Sequence, residues 1–199
     1  MADTKATPKA RKTPAKKAVA SKKIAPYVRA GNLVLLESTS PVGTTEMMTK
    51  ILESEGVDIQ NIHIAHSPER VLPGKVIDEL IKNNRVVGGI NVESTDIAAK
   101  FYQTFVTGEV LKTSAKVAEM TKLTENSFRD VNIAFANEMS ILCDDLDIDV
   151  RELIFLANKH PRVNILNPGC GVGGHCISVD PWFIVDSGKG KAKLVEQAR

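Results

Sequence analysis

Three stretches carry residue types that can do chemistry. The first is Gly169-Cys170-Gly171-Val172-Gly173-Gly174-His175-Cys176, with Asp180 four residues beyond it. Glycines leave the backbone bare enough to approach a ligand closely. A cysteine at such a loop is a candidate nucleophile, more so if a helix starts there and its N-terminal field favours the thiolate. Asp180 then orients the partner of the thiol or a water, or else it caps a helix ahead of Pro181. The string satisfies G-x-G-x-x-G, but Leu166-Asn167-Pro168 is not a buried strand and no βαβ unit surrounds it, so a dinucleotide fingerprint is rejected. Cys170, His175 and Cys176 lack a C-x-x-C pair and a fourth ligand, so no metal is expected.

The second stretch is Lys122, Asn126 and Arg129, spaced i, i+4, i+7. At about 100° per residue they share one helical stripe, with Glu119 beside it. Pattern alone favours a solvated face with a Glu125–Arg129 pair, and a site only if another element closes over it. The third is His66-Ser67-Pro68-Glu69-Arg70-Val71-Leu72-Pro73-Gly74, after an apolar run. Loops at strand carboxyl ends line the ligand crevice of open α/β sheets, so Glu69 and Arg70 are candidates for a base and an anion-binding group. A surface loop with a salt bridge is the alternative.

The elements that must position these residues change character along the chain. Leu33–Leu36 is wholly apolar and bounded by turn residues, which suits a strand buried on both faces. Thr44 or Thr45 can cap a helix to about Glu55. Ile62–Ala65, Arg85–Val87 and Glu109–Lys112 read as strands, and Val76–Lys82 and Ser94–Val106 as helices. This alternation predicts an α/β fold with an incomplete, doubly wound parallel sheet over residues 24–113. From Ser114 to about Asp147 there is no proline or glycine, and apolar residues keep helical spacing, which predicts one long helix. A second helix is expected over Val150–Lys159, followed by a Pro/Gly-rich loop. Residues 114–199 thus read as an all-α region with a cysteine loop, in which Cys143 is a core residue.

The 199 residues carry a net charge of +2 and 43% hydrophobic residues. Residues 1–23 hold eight Lys/Arg against one acid, Asp3, and almost nothing large and apolar. That composition predicts a disordered basic tail, either a solubilising leader or an arm for nucleic acid. No apolar stretch reaches the roughly 18–20 residues of a membrane span, and no secretory h-region is evident. Three cysteines do not make a disulfide framework, so a cytoplasmic location is expected.

From Ile24 to Arg199 the chain resembles the nucleotide-sugar dehydrogenases of the UDP-glucose/UDP-mannuronate group. The resemblance rests on Leu36-Glu-Ser-Thr-Ser-Pro-Val-Gly43, Pro68-Glu-Arg-Val-Leu-Pro-Gly74, Ala118-Glu-Met-Thr-Lys-Leu-Thr-Glu-Asn-Ser-Phe-Arg-Asp-Val-Asn132, His160-Pro-Arg-Val-Asn-Ile-Leu166, Gly171-Val-Gly-Gly-His-Cys-Ile177 and Val179-Asp-Pro-Trp-Phe-Ile184. Pro73, where the glucose enzymes carry a second glutamate, points to the N-acetylmannosamine branch, with glucose-type specificity as the alternative. The resemblance implies an NAD-dependent, four-electron oxidation of a UDP-sugar C6 alcohol to a carboxylate. It implies Cys176 as the nucleophile of a thiohemiacetal and thioester. It implies Lys122 and Asn126 as stabilisers of the oxyanion, Asp180 as an orienting acid and Glu69 as the base for thioester hydrolysis. It puts Arg70, Val71, Lys122, Asn126, Arg129, His160, Arg162 and Gly173 around the UDP-sugar, and Thr39 and Thr45 near the cofactor. It also implies a homodimer built on the long helix, with Arg162 reaching the neighbouring site.

The resemblance has gaps. Family members carry a first Rossmann half with a glycine fingerprint and a ribose-binding acid, and a C-terminal UDP-binding domain. Neither is recognised in this sequence. The expectation is therefore a middle portion that is weakly active or inactive alone, or a non-catalytic dimerising remnant.

Overall fold

The computed structural model describes residues 8–71, 74–170, 172 and 176–199. They form two compact bodies, residues 8–122 and residues 123–199. The first body holds α1 (Pro8–Ile24), β1 (Leu33–Leu36), α2 (Thr44–Ser54), β2 (His63–His66), α3 (Val76–Lys82), β3 (Arg85–Gly89), α4 (Val92–Gln103) and β4 (Val110–Ser114). It also takes the start of α5 (Ala115–Asp145), whose remainder belongs to the second body with α6 (Val150–Ala157), α7 (Asp180–Ser187) and α8 (Lys193–Gln197).

The four strands lie in the order β1-β2-β3-β4. Side chains alternate across the sheet, as the period of two requires. Val34, Leu36 and Ile64 join Met48 and Leu52 of α2 in one core. Leu33, Leu35, Ala65 and Val87 join Ala98 and Tyr102 of α4 in the other. Both faces are covered, which is why β1 reads as a continuous apolar run. The α/β class and the strand positions agree with the sequence, but one pairing departs from an all-parallel sheet. β1/β2 and β3/β4 are parallel, whereas β2 and β3 run antiparallel through Ala65↔Gly89 and His66↔Gly88. At Gly88 a side chain would overlap the Ser114 carbonyl, so the bare backbone lets the β4–α5 junction close against β3.

Residues 1–23 were expected to be disordered, but from Pro8 onward they form α1; residues 1–7 lie outside the described residues. Alanine and lysine are strong helix formers, a local property that a charge-and-composition reading discounts. The helix is fastened at its inner face. Ser21 is buried, and Lys17 Nζ donates to the hydroxyls of Ser38 and Ser40. Burial lowers the Lys17 ammonium below its ordinary range, with the Glu119 carboxylate opposing. The ordered body thus begins ahead of Ile24.

The cap of α2 is neither Thr44 nor Thr45 but Gly43, at φ 91°. The orphan amides of this helix end meet a carboxylate from α5. Glu119, 1% exposed, accepts from Gly43 N at 2.6 Å, Thr45 N at 2.7 Å and Thr45 Oγ1 at 2.6 Å. A negative charge is favourable at a helix N-terminus, and three donors offset its desolvation. Removing it with Glu119→Ala strands those donors, with an expected cost of about 3–5 kcal/mol by urea unfolding. Glu119→Gln keeps an acceptor oxygen and is expected to lose less than half as much, and equal losses from the two variants would contradict this assignment.

Candidate active site

In the second body the cysteine loop ends in a turn against α5. Cys176 is exposed, and its carbonyl accepts from Val179 N and Asp180 N, both at 2.9 Å. Asp180 is the first residue of α7 rather than its cap, with Val179 at the cap position and Pro181 next. Its carboxylate is buried and accepts from Asn126 Nδ2 at 2.6 Å. Two residues singled out separately in the sequence are thereby joined: one from the polar stripe of α5, one from just beyond the cysteine. Asn126 is 4% exposed, so this part of the stripe is a covered wall and not a solvated face.

The burial of α5 explains why pattern alone misread it. Buried positions include Glu119, Asn126, Ser127 and Asp130, whereas Val117, Met120, Phe128, Phe135 and Leu142 are exposed. Cys143 is buried, as expected of a core residue.

Three asparagines hold the loop that precedes the glycines. Asn132 accepts from Leu166 N at 2.8 Å and donates to the Asn164 carbonyl, while Asn158 accepts from Ile165 N at 2.7 Å and donates to the Ile165 carbonyl. Asn137 accepts from Gly169 N at 2.8 Å. A carboxamide can replace a strand partner because it offers the same acceptor and donor as a peptide group. Asn132 closes a recognised motif, but nothing in the pattern singled out Asn137 or Asn158. Asp130 and Arg199, paired at 2.8 Å, were missed as well. Extending the stripe by one turn from Asn126 reaches Asp130.

The other candidates are placed each within its own body. His160 and Arg162 are exposed, and His160 Nδ1 accepts from Arg162 N at 3.3 Å. Arg129 is exposed, and Gly171, Gly173, Gly174 and His175 lie outside the described residues. In the first body, Lys122 is half-buried. Glu69 turns back on its own loop, its Oε1 accepting from Arg70 N at 2.7 Å and Val71 N at 2.9 Å. Arg70 borders a cleft of about 380 Å³ with Lys82, Asn83 and Asn84. Thr39 is half-buried just past β1, where open α/β sheets take their ligands. Thr45 is 1% exposed, with both its amide and its hydroxyl held by Glu119, so its side chain is taken. Leu72 and Pro73 lie outside the described residues.

At the end of β2, His66 is fully buried, and neither ring nitrogen has a hydrogen-bond partner among the described residues. Burial, then the Lys17 ammonium, push its pKa down to about 4, with a smaller opposing pull from the Leu36 carbonyl. The imidazole is therefore neutral in the fold and protonates more readily when unfolded. Between pH 6.5 and about 4 the unfolded chain binds more protons, so stability falls as pH drops through that window. The contribution is roughly 3 kcal/mol. His66→Gln, which does not titrate, is expected to flatten the difference between unfolding curves at pH 7 and pH 4 by up to that amount. An unchanged pH slope would overturn the assignment.

Comparisons with known proteins fit this arrangement. Residues 7–106 match the UDP-glucose/GDP-mannose dehydrogenase family, NAD binding domain, and residues 116–199 match the central domain of the same family. The first match includes α1. A UDP-N-acetyl-D-mannosamine dehydrogenase of Campylobacter jejuni is 60% identical over 190 residues, covering 91% of this chain and 47% of the relative. An NDP-N-acetyl-D-galactosaminuronic acid dehydrogenase of Ralstonia nicotianae is 52% identical over 189 residues, covering 90% of this chain and 45% of the relative. Among solved structures, UDP-D-ManNAc dehydrogenase from Pyrococcus horikoshii superposes with a TM-score of 0.84 at 43% identity, covering 91% of this chain and 44% of that one. The chain therefore spans just under half the length of the relatives it matches. With both domain matches in order along the chain, it belongs to the UDP-glucose/GDP-mannose dehydrogenase family.

Proposed function

We propose that this chain contributes the middle part of an NAD-dependent UDP-N-acetyl-D-mannosamine dehydrogenase, oxidising the sugar C6 alcohol to a carboxylate in the cytoplasm. The observation that carries the reading is the buried Asn126–Asp180 hydrogen bond. It ties the helix just beyond Cys176 to the α5 stripe and gives the exposed thiol a fixed setting. NAD⁺, when bound, accepts a hydride at each of the two oxidations. Thr39 at the carboxyl end of β1 fits a cofactor contact, whereas Thr45 is committed to Glu119.

Cys176 Sγ adds to the C6 aldehyde left by the first oxidation, and the resulting thiohemiacetal loses a second hydride to give a thioester. Water hydrolyses the thioester, releasing the carboxylate and the thiol. Lys122 and Asn126 donate to the oxyanion that develops at C6. Asp180, held by Asn126, orients the donors beside the thiol, and Glu69 takes the proton of the attacking water once its carboxylate swings off the Arg70 and Val71 amides. Arg129, Arg162 and His160, with Arg70, Val71 and the backbone of Gly173, bind the UDP-sugar, since guanidinium forks suit a diphosphate.

The test is NADH formation by the 199-residue protein with UDP-N-acetyl-D-mannosamine, with UDP-glucose as the specificity control. Cys176→Ser is expected to lower the rate about a thousandfold or more, and Cys170→Ser to leave it within about twofold. Weak turnover is expected of a middle part alone; wild-type turnover in Cys176→Ser, or NADH formation with UDP-glucose and none with UDP-N-acetyl-D-mannosamine, would overturn the proposal.

A homodimer through the helical body is the second part of the reading. Phe128, Ile141, Leu146, Phe155 and Leu156 are each more than half exposed, and large apolar side chains left in solvent are the material from which interaction sites are built. Such a surface also favours the reading of a non-catalytic dimerising element. Light scattering is expected to give twice the chain mass, and Phe155→Asp to return a monomer. A monomeric wild type would rule the dimer out.

A further inference from the structure

We propose that Asp130 and Arg199 are positioning residues for Cys176, fastening the turn that carries the thiol; the inference rests on the reading of Cys176 as nucleophile. Asp130 lies four residues after Asn126 on α5, so the two side chains leave one face a turn apart. Asn126 holds Asp180 directly. Asp130 Oδ1 accepts from Arg199 Nη1 at 2.8 Å, and the same nitrogen lies 3.5 Å from the Ile177 carbonyl. Both ends of the segment 177–180 are thereby tied to adjacent turns of one helix, one end directly and the other through a guanidinium. Cys176 immediately precedes this segment, and its carbonyl is bonded to the amides of residues 179 and 180. The direction of an otherwise exposed thiol follows from these anchors.

The chemistry of the pair argues for geometry over stability. Asp130 is 0% exposed, and its Oδ2 has no hydrogen-bond partner among the described residues. Burial raises its carboxyl above the usual range, with the Arg199 guanidinium opposing. An ion pair with one buried partner contributes little stability beyond what well-packed apolar residues supply, whereas its directional bonds fix one arrangement. Arginine is the cation suited to the position, since one planar group can reach a carboxylate and a carbonyl together.

The test uses the 199-residue protein with Asp130→Asn, Arg199→Ala and Arg199→Lys. Hydrogen exchange is followed at the amides of Val179 and Asp180. Iodoacetamide labelling of Cys176 is followed by mass spectrometry, with Cys170 as the reference within each sample. In Asp130→Asn and Arg199→Ala the two amides are expected to exchange about tenfold faster. The Cys176:Cys170 labelling ratio is expected to rise about threefold. The amides of Leu153 in α6 and of Asn158 at its C-cap stay unchanged, and Arg199→Lys keeps most of the wild-type behaviour. Unchanged exchange and labelling would overturn the proposal. So would equal acceleration in α6, which signals general loosening. Neither readout uses sugar or cofactor, so a chain that shows this pattern while Cys176→Ser turns over like the wild type refutes the nucleophile reading and leaves the tether standing.

Discussion

A buried polar side chain on a helix gains most when it is committed to one partner, and α5 carries several that are. Its buried Glu119 closes the N-terminus of α2, and its buried Asn126 holds Asp180. Asn132 and Asn137, further along, bind loop backbone. An unpaired polar group in such a place costs roughly 1–3 kcal/mol, so these partners are specified rather than merely accommodated. An apolar face would bury area without saying which loop lies against it. The polar face fixes which backbone atom meets which side chain, and an active site needs that kind of precision.

The sequence made the elements legible because both of its periodicities are obeyed. β1 and α3 lie where the apolar pattern puts them, and the long helix runs 31 residues as expected. The antiparallel β2/β3 pair was not legible. A strand buried on both faces looks alike whichever way its neighbour runs, and direction is set by the connection through α3. The first helix was missed for another reason. Its lysines read as a charge run, but Lys17 spends its ammonium on Ser38 and Ser40, and Ser21 is buried. Charge density describes how a segment treats solvent on average, and a few inward contacts suffice to fold it.

The candidate site was legible in its residue types and much less so in its connections. Cys176, Asp180 and Asn126 were all visible as candidates, but the bond between the last two joins residues 54 apart in sequence. The asparagines that hold residues 164–169 carry no periodic signal, because a carboxamide bonded to backbone recognises no particular side chain. Thr45 shows the converse. The family resemblance implies a cofactor contact for it, yet its hydroxyl is bonded to Glu119. Glu69 is similar, its carboxylate resting on the next two amides of its own loop.

These commitments bear on how the proposed nucleophile can be both exposed and precise. An exposed thiol has no packing of its own to orient it, so its direction must come from the backbone on which it stands. In this chain that backbone is a short turn ahead of α7, an eight-residue helix that is weak alone and needs tertiary support. Support from one side would leave the turn free to hinge about that contact. Support at both ends, from successive turns of a single long helix, removes that freedom without covering the sulfur. The Asn126–Asp180 bond supplies one end, and the Asp130–Arg199 pair is placed to supply the other.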